Sequence, residues 1–181
     1  MASIKDFYYT GTAVPKAGWL ERRFVFGQQP EMLVFFLERM EGTIARIHWR
    51  VDDMPNEKLS HQLDGVWSVK QNIGHLAEVE EISLKRIDEI LNGVSVMTPA
   101  VFPVKQDYNA MPLKEVIAFF ERARLATLER YNTLKVDDLK LTSIHPRFKQ
   151  PMNPVDLALF HAEHDDHHLR RINEILKTLS K

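Results

Sequence analysis

Three histidines share one face of the chain's last helical stretch. From Asn153 to Leu179, NPVDLALFHAEHDDHHLRRINEILKTL sets Leu157, His161, His164, His168, Ile172, Ile175 and Leu179 at steps of three or four. Imidazoles therefore occupy a stripe whose other members are packing aliphatics. Buried imidazoles need hydrogen-bond partners or a shared ion, and helix neighbours four apart hold their Cβ atoms about 6 Å from each other. A metal site is the chemistry this spacing suits. His161 and His168 are about 10.5 Å apart along the axis, too far to chelate one ion whose bonds to nitrogen are about 2.0–2.1 Å. The usable pairs are His164 with His168, or His161 with His164, and His164 belongs to both.

One helix face cannot surround an ion, so a third ligand must come from another helix. His75 is the best candidate. It lies near the start of a stretch whose apolar set is Ile73, Leu76, Val79, Ile82, Ile87 and Ile90, within about 40° of both Val79 and Ile82 at 100° per residue. Three neutral imidazoles leave a dipositive ion charged and coordinatively open, which suits catalysis better than a purely structural role. The competing reading is a histidine-rich, partly solvated helix face, because pairs spaced HxxxH arise by chance in a chain with eight histidines. His161 and His167 read as outer or surface groups, and His48, His61 and His145 have no partner legible in the sequence. Arg124 reads as a stem snorkelling at the bundle edge. Glu163, Asp165 and Asp166 read as acids on a solvated face, and Trp67 as a ring packed at the start of the second helix.

The elements that must position these residues are helical. Pro30 opens a first helix whose seam is Leu33, Leu37, Met40, Ile44, Ile47 and Val51. A turn with a short helical piece after Pro55 follows. Ser68 and Gln71 form a capping box for a helix running to about Leu91, stopped by Asn92 and Gly93. Residues 94–111 are a connection long enough to shape a pocket mouth. Pro112 opens a third helix through about Leu134, packing on Val116, Ile117, Phe120, Leu128 and Tyr131. After a link holding Pro146 and Pro151, Asn153 caps the last helix and Pro154 begins it. Short extended pieces are expected after the first and third helices. The fold class is therefore all-α, a four-helix bundle. Residues 1–29 carry Phe7, Tyr8, Tyr9, Trp19, Phe24 and Phe26 without sustained periodicity, an arm expected to pack across the domain or a partner subunit.

Composition narrows the function. A chain of 181 residues, 44% hydrophobic, builds one sizeable core and is most simply a single domain. A formal net charge of -1 with acids and bases interspersed offers no basic field for nucleic acid. The chain has no cysteine, so any metal must be held by histidine and oxygen, and no thiol nucleophile belongs to the protein. No apolar run is long enough for a bilayer or a secretory leader, and the expectation is a soluble cytoplasmic protein.

The stretches WSVKQNIGHLAEVE, residues 67–80, and HAEHDDHHLRRI, residues 161–172, resemble the two signature stretches of the DinB-like superfamily of damage-inducible four-helix bundles. The resemblance covers about residues 30–179 and leaves the arm unexplained, giving an arm at 1–29 and a DinB-like domain at 30–181. It implies that a histidine of the second helix and an HxxxH pair of the fourth bind a divalent metal. Motif to motif, these are His75, His164 and His168. It further implies thiol chemistry, because members include bacillithiol-, mycothiol- and glutathione-dependent transferases and isomerases. The expected activity is a metal-dependent transferase using a low-molecular-weight thiol. A metal-dependent hydrolase and a non-enzymatic stress or interaction protein with a vestigial site are the alternatives. Zinc or nickel leads among the metals, with iron and copper compatible with histidine ligands. The arm and the apolar faces raise the further expectation of a homodimer with two-fold symmetry.

Overall fold

The computed structural model describes residues 17–63, 65–102 and 106–179. Phe7, Tyr8 and Tyr9 of the arm lie outside the described residues. Helices α1 (Leu33–Val51), α3 (Val69–Leu91), α4 (Leu113–Asn132) and α5 (Pro154–Leu179) are long, and α2 (Asn56–Ser60) is one short turn after Pro55. A 3₁₀ turn at Pro30–Met32 leads directly into α1, as the proline at the head of that helix requires.

The helix starts follow from local chemistry. Ser68 Oγ accepts from Gln71 N at 3.1 Å while Gln71 Oε1 accepts from Ser68 N at 2.9 Å, a reciprocal cap worth about 1 kcal/mol. At the head of α5, Asn153 Oδ1 accepts from Asp156 N at 2.8 Å and Asp156 Oδ2 accepts from Asn153 N at 3.0 Å. The other oxygen of Asp156 takes the backbone N–H groups of Gly27 and Gln28, both at 2.9 Å. Gly27 has φ 88°, a conformation open to glycine. This cap therefore also pins the end of the arm to α5.

In the bundle α3 packs against α4 and α5, and α1 against α5 and α4. The seam of α1 turns on Phe36 and Thr43 as well as Leu33, Met40, Ile47 and Val51. Two apolar clusters form. One gathers Ile47, Ile73, Leu76, Phe120 and Ile172, and the other Phe36, Met40, Ile87, Tyr131 and Ala158. Between them, at mid-height, each long helix contributes a fully buried polar side chain: Thr43, Glu80, Arg124 and Asp165.

The extended pieces fall in one of the two expected links, the one after the third long helix. Strands β1 (Ser143–Ile144) and β2 (Pro151–Met152) pair antiparallel in the link after α4. The link after α1 has the helical turn α2 and no strand among its described residues. A parallel bridge joins Val96 to Ile144, with Met97 N donating to Ile144 O at 3.0 Å and Ile144 N to Ser95 O at 2.9 Å. The two long connections are thereby stitched into one rim, since backbone groups away from a helix must find partners somewhere.

Candidate metal centre

The first turns of α3 and the middle of α5 face each other, and His75, His164 and His168 meet between them. All three are buried, and one ring nitrogen from each lies within 4.8 Å of the other two. His164 Nε2 and His168 Nε2 are 3.1 Å apart. Two nitrogens bound tetrahedrally to one ion at about 2.05 Å would sit about 3.3 Å apart, so the pair is already spaced for chelation.

Asn72, one turn before His75, settles the tautomer of His168. Its Nδ2 donates to Ser68 O at 2.8 Å, which leaves Oδ1 as acceptor for His168 Nδ1 at 2.8 Å. Nδ1 of His168 therefore carries the proton and its Nε2 presents a lone pair toward His164. His164 Nδ1 and His75 Nδ1 are buried with no hydrogen-bond partner among the described residues, and His75 Nδ1 is 3.7 Å from Glu78 Oε2, beyond hydrogen-bond distance. Unpartnered imidazole nitrogens in a dry site are costly unless they serve a ligand.

Electrostatics keep the triad neutral. Burial, with the nearby His167, lowers the pKa of His75 to about 4. Burial and the neighbouring imidazoles hold His164 and His168 well below the ordinary histidine value. Neutral rings have free lone pairs at pH 7, as metal ligation requires. The residues present thus fit a divalent cation by count, spacing and protonation.

Aromatic rings wall the site. Trp67 packs edge-on to His75 at 4.9 Å between centroids and stacks on His168 at 6.2 Å. Phe102, from the long link after α3, lies 4.8 Å from His75. Trp19 of the arm lies 5.1 Å from His164 and 5.0 Å from Phe160. The aromatic arm packs back on its own α5, where Phe24 also meets Phe160 at 5.3 Å. Trp67 does sit at the start of α3, yet it remains 45% exposed because it covers the triad from the solvent side.

Gly74, the residue before His75, makes room for the Tyr108 ring. A Cβ there would lie 2.5 Å from carbons of the Tyr108 ring, closer than packed side chains approach. Tyr108 passes over Gly74, and its hydroxyl donates to Glu78 Oε1 at 2.8 Å. Burial and that hydrogen bond raise the Tyr108 pKa, keeping it protonated.

A cavity of about 460 Å³ opens beside His75 and His164, within the size range of small-molecule sites. Its walls are largely apolar, including Val79, Ile82, Pro99 and Phe160, with Arg86 and His145 among the polar exceptions. The link after α3 shapes its mouth, as its length suggested.

The remaining polar side chains sort differently, and two of the expectations for them, for Arg124 and Asp165, need correction. Arg124 is no edge group. It is 0% exposed, with Nη1 and Nη2 donating to Asp165 Oδ2 and Oδ1 at 2.6 and 2.9 Å, Nε to Glu80 Oε1 at 2.7 Å and Nη1 to Met40 O at 2.5 Å. Asp165, expected on a solvated face, is fully buried as its partner and also accepts from Thr43 Oγ1 at 2.8 Å. His161 is buried too, with Nε2 3.0 Å from Glu80 Oε1 and Nδ1 2.9 Å from Ser83 Oγ. It stays outside the triad, as does half-buried His167. Burial pushes the Glu80 carboxyl up, but His161 and Arg124 together hold it at about 2. Glu163 and Asp166 are clasped by arginines: Arg39 reaches both, Arg22 binds Glu163, and Arg46 binds Asp166. His48 bridges Asp52 and Glu121. Nothing in the periodicity pointed to Asn72, Tyr108 or Trp19, whose roles depend on contacts between elements far apart in sequence.

No helix of the described residues is long and apolar enough to cross a membrane. No curated protein matches the chain by sequence. Among solved structures, YfiT from Bacillus subtilis superposes with a TM-score of 0.75 at 19% identity, covering 88% of this chain and 94% of that one. It is described as a probable metal-dependent hydrolase with an unusual four-helix bundle topology. At that identity the likeness speaks for the fold. The family model of the DinB superfamily matches residues 39–172, a span that takes in all three histidines of the triad, and the chain belongs to that superfamily.

Proposed function

We propose that the protein is a metal-dependent enzyme in which His75, His164 and His168 hold a divalent cation, and that it transfers a low-molecular-weight thiol to an electrophile bound in the adjoining cavity. The observation that carries the reading is the convergence of three neutral, buried imidazoles from two helices beside an apolar cavity. A dipositive ion held by three nitrogens keeps an open position and supplies Lewis acidity, lowering the pKa of a thiol or water placed there. The chain does the rest. Asn72 orients His168; Trp19, Trp67 and Phe102 exclude water from the triad; the apolar walls hold the electrophile. In the transfer, the thiol loses its proton to solvent, a C–S bond forms, and the bond from that carbon to its leaving group breaks.

A second reading, hydrolysis, is supported by the description of YfiT. The cavity walls favour the thiol, because no carboxylate is among their described residues and Glu78, 3.7 Å from His75 Nδ1, already accepts from the Tyr108 hydroxyl, whereas activation of water commonly relies on a free carboxylate base beside the metal. The test is turnover of protein loaded with zinc or nickel, using a chloronitrobenzene with glutathione, bacillithiol or cysteine, and separately nitrophenyl esters without thiol. Thiol-dependent turnover supports the transferase. Ester hydrolysis alone moves the assignment to a hydrolase, and neither activity in metal-loaded protein rejects both. His164→Ala should lose bound metal and turnover while the bundle stays folded, whereas His167→Ala should keep both. Full activity in a metal-free His164→Ala protein would exclude the mechanism.

A further inference from the structure

The cavity wall carries two buried nitrogens, Arg86 Nε and His145 Nε2, with no hydrogen-bond partner among the described residues. Arg86 is 92% buried by its relative exposure of 8%, and its Nε has no hydrogen-bond partner among the described residues. No ion pair holds its guanidinium among them either. His145, 3% exposed, accepts at Nδ1 from the backbone N–H groups of Arg147 and Phe148, both at 3.3 Å. With Nδ1 used as acceptor, the proton of a neutral ring sits on Nε2, and that nitrogen is also buried without a partner. Arg86, His145 and Arg147 line the same cavity as His75 and His164.

Burial disfavours the Arg86 guanidinium and the charge of Glu89 offsets this only in part, while a buried Nε with no acceptor is destabilising unless a ligand supplies one. Folding nevertheless keeps it there, with a second donor beside it. We propose that Arg86 and His145, with Arg147 at the rim, form an anion subsite that takes the carboxylate of a small molecule whose other end reaches the histidine triad. The inference rests on the catalytic reading above and adds the substrate class: a carboxylate at one end, an apolar middle, and the reacting group at the other end.

Helix geometry sets the length of that molecule. His75, Val79, Ile82 and Arg86 follow at steps of four, three and four on one face of α3, so the Cα atoms of His75 and Arg86 are about 16 Å apart. Long side chains on a helix lean toward its N-terminus, which carries the guanidinium back toward the triad and leaves a gap on the order of 10 Å. Val79 and Ile82 lie between the two ends, which accounts for the apolar middle. A planar guanidinium fork suits a carboxylate held by two parallel bonds.

The experiment uses octanoate, an eight-carbon carboxylate, and octanamide, its neutral counterpart, titrated calorimetrically into the full-length protein. Each titration is done after chelator treatment, where no cation competes for the carboxylate, and again with zinc loaded. Octanoate is expected to bind the metal-free protein at least tenfold more tightly than octanamide. Arg86→Gln should weaken octanoate about tenfold or more, as loss of a charge-assisted hydrogen bond implies, and leave octanamide unchanged. Circular dichroism checks the fold of the variant, and His145→Gln, expected to weaken octanoate severalfold, replaces it if Arg86→Gln does not fold. Equal binding of the two probes, no binding of either, or full octanoate affinity in both variants overturns the subsite. Zinc titration of the same samples reads the triad separately. A protein that selects octanoate but binds no zinc refutes the metal centre and not the subsite, and the converse result refutes only the subsite.

Discussion

Replacing Arg124 by methionine is the sharpest probe of what holds the two histidine-bearing helices in register. The side chain is 0% exposed and links Asp165 of α5, Glu80 of α3 and the Met40 carbonyl of α1. Methionine fills much of the volume but leaves buried Asp165 without its guanidinium partner and Glu80 with only the His161 imidazole of its two charged neighbours. Removing one partner of a buried charge cluster typically costs about 3–5 kcal/mol. The acid side gives an independent figure. Glu80 is held at about 2 against an ordinary 4.5 by His161 and Arg124 together, and roughly two and a half units at about 1.4 kcal/mol each, on the order of 3 kcal/mol, is the upper bound on what Arg124 contributes through it. Either route removes a large fraction of the 5–15 kcal/mol typical of a domain.

The pH dependence separates this account from simple cavity formation. In the parent, the folded pKa of Glu80 is depressed, so its contribution is present above about 4.5 and is lost as pH falls toward about 2. In Arg124→Met the Glu80 carboxylate keeps only the part of its stabilisation that His161 supplies, so acid costs the variant less than it costs the parent. The stability gap between the two should be about 3–5 kcal/mol at pH 7 and narrow toward pH 4. Urea unfolding followed by circular dichroism at several pH values measures it. A loss under about 1 kcal/mol at pH 7, or a gap that stays constant with pH, would refute the reasoning.

Three further outcomes are expected. Asn72→Ala should weaken zinc binding about 10- to 100-fold in a competition titration with little change in fold, because it frees the tautomer of His168. Gly74→Ala should destabilise by about 1–3 kcal/mol in urea unfolding, because the added methyl collides with the Tyr108 ring. The metal-free protein should lose stability as pH falls from about 6.5 toward about 4. Unfolded imidazoles take up protons in that window while His75, held at about 4 chiefly by burial, and the still lower His164 and His168 do not.

The sequence made the long helices legible because their signals are local. Ser68 with Gln71, Pro112, and Asn153 with Pro154 announce helix starts within four residues of themselves, and the apolar steps of α1 and α5 state which face turns inward. The triad was legible for the same reason on α5, where His164 and His168 lie four apart. Only the family resemblance paired them firmly with His75. Arg124 and Asp165 were misread because a charged residue on a helix is ordinarily solvated, and its exception depends on a partner 41 residues away in sequence. Arg86 and His145 were similarly invisible, since their importance lies in hydrogen bonds they do not make.

The buried charge layer calls for a reason, because apolar side chains of similar volume in its place are often as stable or more so. Its position supplies one. Asp165 follows His164 directly and precedes His168 by three residues, while Glu80 follows His75 by five on α3. An apolar seam permits one helix to rotate or slide on another at small cost, but a turn of α5 by one residue position would swing His164 through about 100° and scatter the triad. A bidentate arginine between Asp165 and Glu80 allows one rotation of α5 against α3. On this argument Glu80→Leu/Arg124→Met/Asp165→Leu should recover most of the stability lost by Arg124→Met alone, yet bind zinc more weakly than the parent. Equal zinc affinity in a stable triple variant would show that aliphatic packing alone sets the histidines in place, and the layer would then lack a role in the site.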